Sequence, residues 1–176
     1  MAKVIIGIGI PGSGKTTFLK SFANKNSYEY ICPDDIRAEL LGKAADQSRM
    51  REIWEEAYKR LKNALQGDKT VVFDATNAKE VDRKGLVSFS REIGAEKIQG
   101  VYAEVPLEVA LERNNARDRV VPPFAMERMR DFLHKAPPIL GEGFDSIFYL
   151  NEFQELQKVE SNEQSPIMKE FKPKLM

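Results

Sequence analysis

Two hydrophobic rhythms alternate along this chain up to about residue 150. Short, nearly continuous apolar runs at Val4–Ile8, Tyr28–Cys32, Thr70–Asp74, Lys97–Val105 and Asp145–Leu150 read as strands buried on both faces. The intervals between them follow helical spacing. Thr17–Ala23 sets Phe18, Leu19 and Phe22 on one side. Between Asp46 and Gly67, the residues Met50, Ile53, Trp54, Ala57, Leu61, Ala64 and Leu65 recur at spacings of three and four, which predicts a long amphipathic helix with Gly67 as its stop. Asn77 followed by Glu80 reads as a capping box. The helix it opens should carry Val81, Leu86, Phe89 and Ile93 inward and end at Gly94. Pro106 opens another helix at a favoured first-turn position, and Pro122 and Pro123 restart the chain into a helix bearing Met126, Met129 and Phe132.

Strand and helix in alternation predict an α/β domain over residues 1–150, with a parallel sheet of five strands and helices on both faces. Ligands of such sheets bind beyond the carboxyl ends of the strands. Residues 151–176 are charged and weakly patterned and contain Pro166 and Pro173; they read as a tail, docked or frayed. A length of 176 residues suits one core. Lys plus Arg number 27 and Asp plus Glu number 27, which argues against bulk binding of long nucleic acid but permits a local basic groove. The lone Cys32 leaves no internal disulfide and suits a reducing compartment. No apolar run reaches the ~20 residues of a membrane span. Met1-Ala2-Lys3 leads straight into the first strand, so a cytoplasmic protein without a signal peptide is expected. The single His134 reads as a helix-end or surface residue. Oligomeric state is not legible.

The most specific chemical signal is Gly9-Ile10-Pro11-Gly12-Ser13-Gly14-Lys15-Thr16, which meets the P-loop pattern G-x-x-x-x-G-K-[ST] at every fixed position. It lies between a strand and a helix, as the mechanism requires. Backbone N–H groups of Gly12, Ser13, Gly14, Lys15, Thr16 and Thr17 would cradle phosphate at the helix N-terminus. Lys15 would reach the β- and γ-phosphates and Thr16 would ligate Mg²⁺. The nucleotide expected is ATP.

Further clusters follow. Cys32-Pro33-Asp34-Asp35-Ile36-Arg37 starts a helix right after a strand. One acid can face the cleft as the base that accepts a hydroxyl proton while the other caps the helix; the plainer alternative makes Asp34 an N-cap and Arg37 its surface partner. Asp74 ends a buried strand beside the P-loop, where an acid often holds the metal's water shell. Thr76 and Asn77 add a hydroxyl and an amide there. Arg113, Arg117 and Arg119 cluster at a helix end before Pro122. They read either as a solvated face paired to Glu108, Glu112 and Asp118 or, in a P-loop protein, as a lid whose guanidinium forks bind phosphate. The segment Ala136–Asp145 reads as a connector into the last strand.

The motifs G-I-P-G-S-G-K-T-T, P-D-D-I-R, V-V-F-D-A-T-N, R-N-N-A-R-D-R-V-V-P-P and E-G-F-D-S-I resemble the kinase domain of polynucleotide 5′-hydroxyl kinases, from about Lys3 to about Leu150. That resemblance implies the small-kinase fold with strand order 2-3-1-4-5 and an Arg-bearing lid. It implies Asp34 as general base, Arg37 and Thr76 at an acceptor phosphate, and Arg117 as the lid arginine on the transferring phosphate; Arg119, two residues on, is expected among the nucleotide-binding residues beside it. It implies Val121 as an apolar contact to the acceptor's terminal base. The sequence departs from the family at Pro33, where an arginine is common, and the phosphatase domain of many members is absent from these residues. The same motifs occur more loosely in small P-loop kinases with other acceptors. The expected reaction is ATP- and Mg²⁺-dependent phosphorylation of the 5′-hydroxyl of DNA or RNA, as in nucleic acid 5′-end repair. The alternatives are a kinase of a small phosphate-bearing molecule, nucleoside or sugar nucleotide, and an NTP-binding switch with no acceptor.

Overall fold

The computed structural model describes residues 1–43 and 48–159. The elements run β1 (Lys3–Ile8), α1 (Lys15–Asn26), β2 (Glu29–Ile31), α2 (Pro33–Leu41), α3 (Met50–Gln66), β3 (Thr70–Asp74), α4 (Glu80–Glu92), β4 (Lys97–Ala103), α5 (Leu107–Asn115), α6 (Pro123–Lys135), β5 (Ser146–Leu150) and β6 (Leu156–Lys158). The sheet order is β2-β3-β1-β4-β5-β6. The five expected strands are parallel and in the expected order. The sixth, β6, is an addition from the tail and pairs antiparallel with β5, Tyr149 opposite Gln157. Asp46, expected to begin the long helix, and Pro166 and Pro173 of the tail lie outside the described residues.

The near-continuous apolar strands are explained by burial on both faces. On β1, Val4, Ile6 and Ile8 join one core cluster, while Ile5 points to the other face and meets Leu19, Val72 and Val101. The second face is covered by α1 through Leu19 and Ala23, with Phe18 stacked on Phe22 at 5.8 Å. The first is covered by α2 to α6, through Ile36, Ile53, Leu61, Leu86, Ala110 and Met126 among others. His134 sits half-buried in the last turn of α6, as expected of a helix-end residue. No helix of the described residues is long and apolar enough to cross a membrane.

At α4 the structure departs from the local pattern. The helix begins at Glu80 after Lys79, without a side-chain cap, so Asn77 is not its cap. Asn77 adopts φ 48° and its amide crosses to β1, donating to the Gly7 carbonyl at 2.7 Å. Glu80 pairs instead with Lys84, one turn on. Val81 is 71% exposed rather than inward, and Arg83 takes a buried place on the inner face. Arg83 belongs there because of Glu142, in the connector that carried no chemical signal. The guanidinium donates Nε and Nη2 to the Glu142 carboxylate, both at 2.7 Å. It also donates to the carbonyls of Asn77, Ala78 and Ala136. Both side chains are essentially excluded from water.

Candidate active site

The P-loop follows β1 and turns into α1. Gly12 is at φ 78°, and a Cβ there would lie 2.2 Å from the Ala110 carbonyl oxygen, so glycine is required on both counts. Gly7 does similar service one layer below: it registers opposite Asp74, and a Cβ would strike Leu19 at 2.4 Å and crowd Lys15 at 3.3 Å. Its absence lets the Lys15 ammonium reach Asp74 Oδ1. The Ser13 hydroxyl is buried without a hydrogen-bond partner among the described residues.

Asp74, at the carboxyl end of β3, is the hub of this half of the site. It is 1% exposed. Besides Lys15 it accepts from the Thr16 hydroxyl at 2.8 Å and from the Tyr30 phenol at 2.5 Å. Burial pushes its carboxyl up, but the Lys15 charge and the hydrogen bonds from Lys15, Tyr30 and Thr16 outweigh that, and it is held below the usual carboxylate range. Tyr30 is pushed well up by burial and by Asp74, so its phenol stays a donor. The thiol of Cys32 is likewise raised by burial and by Asp74, which leaves it an unreactive neighbour.

Asp34 stands at the start of α2, just past the end of β2. Its Oδ1 accepts from Arg37 at 2.5 Å and from Arg119 at 2.9 Å. Arg37 is 3% exposed and also touches the Met50 sulfur at 3.3 Å. Asp35 turns away and pairs with Lys20 at 3.2 Å on the surface. The arginine segment is the link between α5 and α6. Asn114 tethers it by exchanging two hydrogen bonds with Val121. Arg117 is exposed on this link, while Arg113 donates to the Glu152 carbonyl at 3.0 Å.

All the sequence-predicted site residues border one cleft of ≈1250 Å³: Gly12, Ser13, Gly14, Lys15, Thr16, Thr17, Asp34, Arg37, Asp74, Thr76, Arg117, Arg119 and Val121. The structure thus puts a phosphate-binding loop and a carboxylate set between guanidiniums in one cavity. Three features escaped the sequence reading. Tyr30 looked like a plain strand residue, and only the β2–β3 pairing brings its hydroxyl to Asp74. Gln154, past β5, donates to the Gly14 carbonyl at 3.3 Å and so steadies the P-loop from the tail. The aromatic residues Trp54, Tyr58, Phe124 and Phe132 also border the cleft; their helical spacing is equally that of core residues.

The AAA domain family profile matches residues 4–136, and the chain belongs to that family. It is 23% identical to an L-seryl-tRNA(Sec) kinase of Methanococcus maripaludis, over 97% of this chain and 71% of that protein. It is 28% identical to a protein of Acanthamoeba polyphaga mimivirus assigned as a bifunctional polynucleotide phosphatase/kinase, over 65% of this chain and 24% of that one. A chain in the structure of the Pnkp1/Rnl/Hen1 RNA repair complex superposes with a TM-score of 0.70 at 22% identity, over 93% of this chain. That likeness shows the P-loop kinase fold. The chain spans 50% of the length of that neighbour and about a quarter of the mimivirus protein.

Proposed function

We propose that this member of the AAA domain family transfers the γ-phosphoryl group of ATP to the 5′-hydroxyl of a polynucleotide or oligonucleotide. One observation carries the reading: a carboxylate flanked by two guanidiniums, Asp34 with Arg37 and Arg119, shares a cleft with the P-loop. A nucleotide switch has no use for a base facing a hydroxyl; a kinase needs one.

The residues present fit ATP and Mg²⁺. The cradle around Gly12 has no room for a Cβ, the buried Ser13 hydroxyl lacks a partner among the described residues, and Lys15 and Thr16 converge on Asp74. No group of three or more His, Cys, Asp or Glu suited to a metal occurs among the described residues, which accords with Mg²⁺ held through few protein ligands and the nucleotide's own oxygens. Thr16 and Asp74 would hold the metal, whose chemistry there would be neutralisation of phosphate charge. Gly12, Ser13, Gly14, Lys15, Thr16 and Thr17 bind the phosphates. Asp34 orients the acceptor hydroxyl and takes its proton at the oxygen turned from Arg37 and Arg119. Arg117, from the exposed link, closes on the transferring group with Arg119, where charge develops in the transition state. Arg37 and Thr76 hold a phosphate of the acceptor and Val121 packs on its terminal base.

The acceptor class draws support from the mimivirus relative's assignment and from the sequence motifs. The archaeal relative, matched along nearly the whole chain, favours a second reading, in which the hydroxyl belongs to a group carried on tRNA. A transfer assay with labelled ATP decides. Nucleoside 3′-monophosphates should react about ten- to hundredfold better than plain nucleosides, the worth of an arginine bond to a charged group, and Arg37→Ala should erase most of that preference. Plain nucleosides or sugars reacting as well as 5′-hydroxyl oligonucleotides would end the polynucleotide reading. Phosphorylation of aminoacylated tRNA alone would establish the second.

A further inference from the structure

Beyond the P-loop and Asp34 the cleft continues into a compartment between α3, α4 and α6. It is bordered by Trp54 and Tyr58 of α3, by Asp82 and Gly85 of α4, and by Phe124, Arg128 and Phe132 of α6, so one carboxylate shares it with the cations. A volume of ≈1250 Å³ for the whole cleft exceeds the ~300–1,000 Å³ of an ordinary single-ligand site. Phe124, Arg128 and Phe132 stand four residues apart on α6, so they form one stripe about 12 Å long. Phe124 is 73% exposed, while Phe132, Trp54 and Tyr58 are half-buried and keep part of their surface against the core, Trp54 stacked on Phe73 at 6.1 Å. Two cations flank the stripe, Lys79 Nζ at 5.2 Å and Arg128 Cζ at 5.7 Å from the Phe132 ring centroid.

Aromatic faces beside cations match the chemistry of single-stranded nucleic acid, whose bases stack while its phosphates need neutralising. A purely apolar ligand would have no use for Lys79 and Arg128. We propose that this compartment is a second acceptor subsite, which stacks the base of the nucleotide following the reacting one and meets its phosphate with Lys79 and Arg128. This rests on the nucleic-acid reading of the acceptor. It adds that the enzyme measures acceptor length and prefers a single-stranded oligonucleotide to a mononucleotide.

Gly85 supplies the test. It lies inside α4, borders the cleft, and a Cβ there would meet nothing within 4 Å. Gly85→Leu therefore adds bulk at the edge of the compartment without a clash, while removing a helix-interior glycine, a change that favours the fold. Wild-type protein should phosphorylate a 5′-hydroxyl single-stranded trinucleotide with kcat/KM about 5- to 150-fold above that for a nucleoside 3′-monophosphate, the range for one stacked base. Gly85→Leu should erase that advantage and leave the monophosphate rate within about twofold, since one stacking contact is the only loss. Equal wild-type rates for the two acceptors, or equal losses for both in the variant, would overturn the subsite. Should neither be phosphorylated, the proposed activity fails, and binding still decides the subsite. Trp54 is the chain's single tryptophan, and its emission should change saturably on adding trinucleotide to wild-type protein but not to Gly85→Leu. An emission unmoved by trinucleotide in the wild type would overturn the subsite on its own.

Discussion

Replacing Arg83 by Met tests how the region beyond β3 is held. In the native protein each guanidinium donor has a partner: two bonds to Glu142 and three to the carbonyls of Asn77, Ala78 and Ala136. Methionine fills much of the volume but leaves the Glu142 carboxylate buried and uncompensated, with those carbonyls short of a donor. Breaking a buried pair by removing one partner costs about 3–5 kcal/mol, a large part of the ~5–15 kcal/mol that keeps a domain folded. For a chain of this size that corresponds to a melting temperature lower by about 6–20 °C. Urea titration and thermal melts measure it. Adding Glu142→Leu to Arg83→Met should recover part of the loss, because the orphaned charge goes with it, and the two changes should couple by more than about 1 kcal/mol. The Thr76–Asn77 segment keeps two other ties, Gly9 N–H to the Thr76 carbonyl at 3.0 Å and the Asn77 amide to Gly7. Turnover per folded molecule should therefore fall less than about tenfold, well short of losing a catalytic proton transfer. A loss under about 1 kcal/mol, or strict additivity in the cycle, would refute the account of Arg83 as a buried keystone.

Asp34→Asn should lower turnover by about 10²–10⁴ with ATP affinity nearly unchanged, whereas Asp35→Asn, at an exposed pair with Lys20, should cost little; steady-state kinetics giving the reverse order would reassign the base. Arg117→Ala should reduce kcat by about 10³ or more while nucleotide affinity, read by titration, hardly moves; equal loss in both would make it a ground-state clamp. Asp145 gives a pH signature. Partial burial pushes its carboxyl up, but bonds from the Ile98 N–H at 2.7 Å and from Arg91 at 2.6 Å win and hold it below the usual range. A depressed folded value means stability present above the unfolded carboxylate's ~3.9 and lost as pH falls through the folded value. Asp145→Asn should cost at most about 1 kcal/mol near neutrality, since the pair is exposed, and that difference should shrink in urea melts as pH falls below about 3.9. A difference that persists or widens there would refute the assignment.

Motifs that act through local geometry could be read from the chain alone. The P-loop needs glycines, lysine and threonine at fixed spacing between a strand and a helix, so it was legible at once. The buried parallel strands were legible because shielding on both faces forces apolar runs. The grouping of Asp34, Asp74 and the arginine link followed from a general property of parallel sheets, whose carboxyl ends gather at one edge. Where the sequence misled, a long-range partner had overruled a local preference. Asn77 looked like a cap because Glu80 follows it, but its amide finds the Gly7 carbonyl on β1. Arg83 gave no signal in the sequence, and only Glu142, 59 residues away, makes its burial favourable. Tyr30 and Asp74 meet only because β2 pairs with β3. Which pairs of polar groups remove one another from water is a property of the folded arrangement: each alone reads as solvent-exposed, and only the tertiary contact compensates its desolvation.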